Sequence, residues 1–104
     1  MVNKGQLNFN SEHEYLQDLL LGVKNIHDLK IEHIFFQDVR NGIKDFEIRY
    51  NDRGFRVGDI LRLHEWIDGE YTGNQVSKIV KYISSYEQKT GFVVLGLMDI
   101  LEAE

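Results

Sequence analysis

The chain has no cysteine and no proline in its 104 residues. The first absence excludes disulfides, thiolate metal sites and a thiol nucleophile. The second leaves every turn to Gly, Asn and Asp. No apolar run approaches the length of a membrane span. The opening residues, M-V-N-K-G-Q-L-N-F-N, lack the basic start and apolar stretch of a secretory signal, so the expected setting is the cytoplasm, with no membrane partner. Base is scarce as well. The formal net charge is −5, not the strongly basic balance of a protein that coats long nucleic acid.

What is present is a soluble, single-core composition: 42% hydrophobic and 28% charged residues. The charge is unevenly placed. Residues 40–62 hold six of the twelve basic side chains (Arg40, Lys44, Arg49, Arg53, Arg56, Arg62) against four acids. A small basic site on an acidic body suits a short ligand better than a long duplex.

Ser11-Glu12-His13-Glu14 reads as a capping box, and Tyr15, Leu16, Leu19, Leu20 and Val23 then recur at helical spacing. This predicts an amphipathic helix in an N-terminal extension, residues 1–26. Its plain role is to pack its stripe on the rest of the chain. The alternative is a protein partner or self-association through Tyr15, Leu16, Leu19 and Leu20. Residues 27–104 read as the main domain. A strand is expected at His27–Ile31, then a helix over Glu32–Asn41 with Ile34, Phe35, Phe36 and Val39 inward. Asn41-Gly42 ends that helix. From Asp45 to Tyr50 the pattern alternates strictly, which predicts a strand with Phe46, Ile48 and Tyr50 toward the core and Asp45, Glu47 and Arg49 opposite. Asn51-Asp52-Arg53-Gly54 is turn chemistry. Strands follow at Ile60–Ile67, where Arg62 and His64 point outward, at Gln75–Ser84, apolar enough on both faces to be central, and from Phe92 to Met98. Asp68-Gly69 marks a hairpin, which Tyr71-Thr72-Gly73-Asn74 extends or makes irregular. The fold class is therefore mainly β with helices (α+β): a small barrel of about five strands, one helix between the first two, and an extra N-terminal helix.

The spacing Gly-x-Lys-x-x-Glu-x-Arg, filled by Gly42, Lys44, Glu47 and Arg49, resembles the signature of the ASCH family, small domains of the PUA-like superfamily. The runs N-D-R-G-F-R-V-G-D-I-L (Asn51–Leu61), Y-T-G (Tyr71–Gly73) and F-V-V-L-G-L (Phe92–Leu97) resemble a prokaryotic and viral branch of it. The resemblance implies a PUA-like barrel whose cleft binds short single-stranded RNA, a nucleotide or a nucleoside. It implies that Lys44, Glu47 and Arg49 line that cleft; Asn51, Asp52 and Arg53, next along the chain, are expected on its rim. An ammonium and a guanidinium would hold phosphate while Glu47 accepts from a base amino group. On charge patterning alone the three residues are an exposed ion-pair network, and Asn51–Arg53 a plain turn. Some relatives in that family are amidohydrolases of modified cytidines. They carry a nucleophilic threonine where this chain has Glu47, so hydrolysis of a modified nucleoside or RNA by Lys44 and Glu47 is the second expectation, behind binding. Trp66 and Tyr71 face each other across the hairpin, as a stabilising pair or as a stacking platform. The histidines show no metal spacing, and neither metal nor cofactor is expected.

Overall fold

A computed structural model describes residues 25–100. Five strands and one helix run in the order β1 (Ile26–Glu32), α1 (His33–Arg40), β2 (Phe46–Tyr50), β3 (Ile60–Ile67), β4 (Glu70–Ser84) and β5 (Phe92–Asp99). The predicted N-terminal helix lies outside the described residues. The strands form one sheet in the order β1-β3-β4-β5-β2. β1 runs parallel to β3, and every other pair is antiparallel. β4 is central, as its apolar composition implies.

The sheet curls into a half-barrel, and its two outer strands, β1 and β2, come together through side chains instead of a ladder. Arg49 Nη2 donates to Lys30 O at 2.7 Å, and Arg53 Nη1 donates to Asp28 O at 3.0 Å. Carbonyls two residues apart point to the same side of a strand, so these two belong to the edge of β1 that β3 leaves free. Two arginines thus clasp the opening.

Alternation sets the core. Leu29 and Ile31 of β1, Leu61 and Leu63 of β3, Val80 of β4, and Val93, Leu95 and Leu97 of β5 turn inward and are buried. α1 plugs the inside with Phe36 and Val39, both at 0% exposure. A helix of two turns presents only one such stripe. Ile34 and Phe35, expected inward, are therefore exposed.

The turns follow local chemistry. Gly42 N donates to Val39 O, and Ile43 N to Asp38 O, which is a Schellman closure of α1. It requires a left-handed residue after the cap, and Gly42 has φ +79°. Asp68 and Gly69 both take positive φ, as a two-residue primed hairpin turn demands. The Tyr71–Asn74 stretch does carry an irregularity: the β3–β4 register slips between His64 and Trp66.

One expectation is reversed. β2 alternates as read, but its charged side faces in. Glu47 is 5% exposed, while Phe46, Ile48 and Tyr50 face outward. Apolar alternation alone gives two faces without saying which one the curl encloses. Here the enclosed face looks toward the β1 edge, where Glu47 has two cationic partners.

Candidate functional site

The Schellman closure delivers Lys44 to the mouth of the half-barrel. Its backbone N–H donates to Asp38 O, which fixes the chain as it leaves α1. Two residues later β2 begins, and Glu47 lands opposite Leu95 on the inner face. Lys44 Nζ donates to Glu47 Oε2 at 2.7 Å and to Phe46 O at 2.8 Å. Arg49 Nε donates to Glu47 Oε1 at 3.0 Å. Both carboxylate oxygens are therefore engaged, as a buried charge requires. The expectation that Glu47 and Arg49 share one side of the strand, with Lys44 in the same cleft, matches this geometry.

These residues line a cleft of about 480 Å³ between the two sheet edges. Its other walls are Lys30, Ile31 and Glu32 of β1, Phe35 of α1, and Phe46 and Ile48 of β2. The volume is that of a small-molecule site. Three cations (Lys30, Lys44, Arg49) meet two carboxylates (Glu32, Glu47), so the cleft is locally positive on an acidic chain. Lys44 Nζ lies 5.4 Å from the Phe35 ring centre and 4.6 Å from that of Phe46. Two of its three N–H donors are used. Among the described residues Arg49 Nη1 has no hydrogen-bond acceptor, so it too is available to a ligand.

Asn51, Asp52 and Arg53 do not line this cleft. Asn51 Oδ1 accepts from Phe55 N at 3.0 Å, Asp52 N donates to Tyr50 O, and Arg53 holds β1. Their geometry is that of a turn and a clasp. Phe35 and Phe46 are the wall residues that the sequence reading assigned to the core. Their signal was available only in part, since an aromatic beside a charged strand position reads equally as core.

Two further networks flank the opening. Asp28 accepts from Arg62 Nε at 2.6 Å and Nη2 at 3.1 Å, and pairs with His64 Nε2 at 2.7 Å. Arg62 and His64 lie on the outward side of β3, as expected, and are half-buried there as partners of Asp28. Desolvation acts to raise the Asp28 pKa, but the hydrogen bonds from Arg62 and His64 prevail and hold it below the ordinary value. Glu65, buried at 3% exposure, pairs with His33 Nδ1 at 2.6 Å and accepts from Thr72 Oγ1 at 2.7 Å and Asn74 Nδ2 at 3.0 Å. Those bonds, His33 first, lower its pKa from 4.5 to about 2. Sequence reasoning missed this cluster, although Glu65 continues the inward series of Leu61 and Leu63. The β4 irregularity at Thr72–Asn74 is what bends both donors onto it.

Trp66 and Tyr71 are direct register partners with ring centres 4.8 Å apart, edge to face. Lys30 Nζ lies over the Trp66 ring at 4.4 Å. The indole is already covered on two sides, which fits a stabilising pair. Among the hydroxyls, Thr72 donates to Glu65 and Ser84 Oγ accepts from Tyr86 N, so neither stands beside Lys44. No helix among the described residues is long and apolar enough to cross a membrane.

Residues 26–97 match the family model of a domain of unknown function, DUF3850. The chain belongs to that family. The matched span runs from the first residue of β1 into β5, so it contains the clasp and every residue lining the cleft. The family domain is therefore the curled sheet itself, and residues 1–25 precede it. A protein of Escherichia phage P2, described as an uncharacterized 12.9 kDa protein in the GpA 3′ region, is 43% identical over 51 residues. That match covers 49% of this chain and 47% of the phage protein, so it spans about half the length of that relative.

Proposed function

We propose that the domain is a PUA-like, ASCH-type binding module that takes a short single-stranded RNA segment or a nucleotide in the cleft between β1 and β2. The observation that carries this reading is the combination of N–H donors on Lys44 and Arg49 that are unspent among the described residues with two flanking rings, Phe35 and Phe46, in a cleft of nucleotide size. A phosphate or a base carbonyl accepts from the cations, and a base lies against a ring. Glu47 keeps the two cations fixed, so little ordering is left for the ligand to impose. The Gly42–Arg49 spacing and the downstream runs supply the resemblance to ASCH domains. The binding reading stands ahead of hydrolysis because both Glu47 oxygens are occupied and no hydroxyl of the described residues bonds to Lys44.

The test is fluorescence anisotropy with labelled tetranucleotide RNAs and a labelled nucleotide. Phe35→Ala should weaken binding by about 1–3 kcal/mol, the usual worth of a base–aromatic stack. Lys44→Gln should weaken it further and make its salt dependence, shallow because few phosphates are met, shallower still. Arg56→Glu, an exposed change away from the cleft, is the control. Equal loss in the Arg56→Glu and Phe35→Ala proteins, or turnover of acylated cytidine that depends on Lys44, would overturn the reading.

A further inference from the structure

The cleft holds two carboxylates of different standing. Glu47 is spent: Oε2 accepts from Lys44 and Oε1 from Arg49. The task of accepting from a base amino group, expected of Glu47 from the sequence, therefore falls to another residue. Glu32 lines the facing wall. Among the described residues its carboxylate takes part in no hydrogen bond or ion pair. It stands at the N-cap of α1, where Ser, Thr, Asp or Asn would bond the first turn, and its side chain makes no capping bond. A long carboxylate where the helix calls for a short one breaks a local rule, and such breaks gather at functional sites.

Its neighbours define what it can receive. Phe35 follows three positions later, the interval that brings side chains together at a helix turn. Both residues line the cleft, so a base lying flat against Phe35 turns an edge toward Glu32. The β2 wall answers with donors. Lys44 Nζ lies 5.4 Å from the Phe35 ring centre, and Arg49 Nη1 has no acceptor among the described residues.

We infer that the base held in the cleft is guanine, read by Glu32. This rests on the nucleotide-binding reading and narrows it to one base. A carboxylate presents two acceptors side by side and no donor. Of the four RNA bases only guanine presents two donors side by side, N1–H and the N2 amino group. The pair closes as two parallel, charge-assisted hydrogen bonds. Guanine O6 and N7 are acceptors, and Lys44 and Arg49 on the opposite wall are donors to match. Each other base sets an acceptor against the carboxylate. Adenine has N1 beside its amino group, cytosine has N3 beside its own, and the single N3–H of uracil is flanked by two carbonyls. A lone pair held against an anion in a partly closed cleft is a rejecting contact, so Glu32 selects by repulsion as well as by attraction. It also sets the ligand's direction, since phosphate is driven away from Glu32 and toward the cations.

The test is fluorescence anisotropy of the full chain with the labelled RNAs UUGU, UUAU, UUCU and UUUU. UUGU should bind roughly ten- to a hundredfold tighter than the others, the usual discrimination of a bidentate base contact. Replacing its guanine by hypoxanthine, which lacks the N2 amino group, should lose most of that advantage. This comparison uses the unaltered protein, so misfolding cannot imitate it. Glu32→Gln should abolish the guanine preference, and the hypoxanthine RNA should then bind as well as UUGU. Equal affinity for all four RNAs, no loss on removing the amino group, or a guanine preference that survives Glu32→Gln would overturn the assignment and leave the binding reading standing. Failure of all four RNAs to bind would overturn both.

Discussion

Glu47 shows how one side chain fixes a site. It sits at 5% exposure on the rim of an apolar core, and each oxygen meets one cation. Removing its charge leaves Lys44 and Arg49 facing each other across a partly desolvated gap. Glu47→Gln should therefore cost about 1–3 kcal/mol, the range for a part-buried, charge-assisted bond, measured by denaturant unfolding. An unchanged midpoint would make the triad a solvated pair without structural weight. Glu65 governs the acid limb instead. Its pKa is about 2 in the folded protein against 4.5 for the free group. A depressed carboxylate stabilises the fold fully above its unfolded value, and that contribution is lost as pH falls from about 4.5 toward 2. The lowered Asp28 acts in the same direction. Glu65→Gln should flatten the decline of stability across this window, read from melting temperature against pH. An unaltered slope would show that the His33, Thr72 and Asn74 bonds do not hold the charged form.

At the scale of elements, α1 and its closure place the site. Gly42→Ala puts a side chain at φ +79°, with no steric contact within 4 Å to confuse the outcome. It should cost about 1 kcal/mol through backbone strain alone. Phe36 and Phe35 are neighbours with opposite duties: Phe36→Ala should cost about 3–5 kcal/mol as a core cavity. Phe35→Ala should leave stability nearly unchanged, since its ring lines the cleft. Similar melting shifts for the two would contradict the assignment. The closure at Asn41-Gly42, the hairpin at Asp68-Gly69 and the alternation of β2 were legible in the sequence because each is decided within a few residues. Which side of β2 faces inward was not. That depends on the curl of the whole sheet and on Arg49 finding Lys30 O, nineteen positions away. The same reason hid the role of Arg53, whose Asn-Asp-Arg-Gly context reads only as a turn.

At the scale of the molecule, the function proposed here rests on an opening. Five strands curl until β1 and β2 approach without pairing, and Arg49 and Arg53 hold the gap at a fixed width. A closed barrel would have no cleft there, and an open sheet no walls. The pairing of Glu47 with Arg49 was legible from alternation, and the place of Lys44 beside them from the resemblance that its spacing carries. The contributions of Lys30, Glu32 and Phe35 were not, because only the meeting of the two sheet edges brings them in. The net charge of −5 on the chain against a locally positive cleft leaves room for a ligand of few phosphates. The most direct test is an NMR titration of the isotope-labelled full chain with a single-stranded tetranucleotide and with a mononucleotide, following backbone amides. Saturable shifts should be confined to Lys30–Glu32, Phe35, Lys44 and Phe46–Arg49. Shifts centred on Trp66 and Tyr71, or none at millimolar ligand, would contradict binding in the cleft.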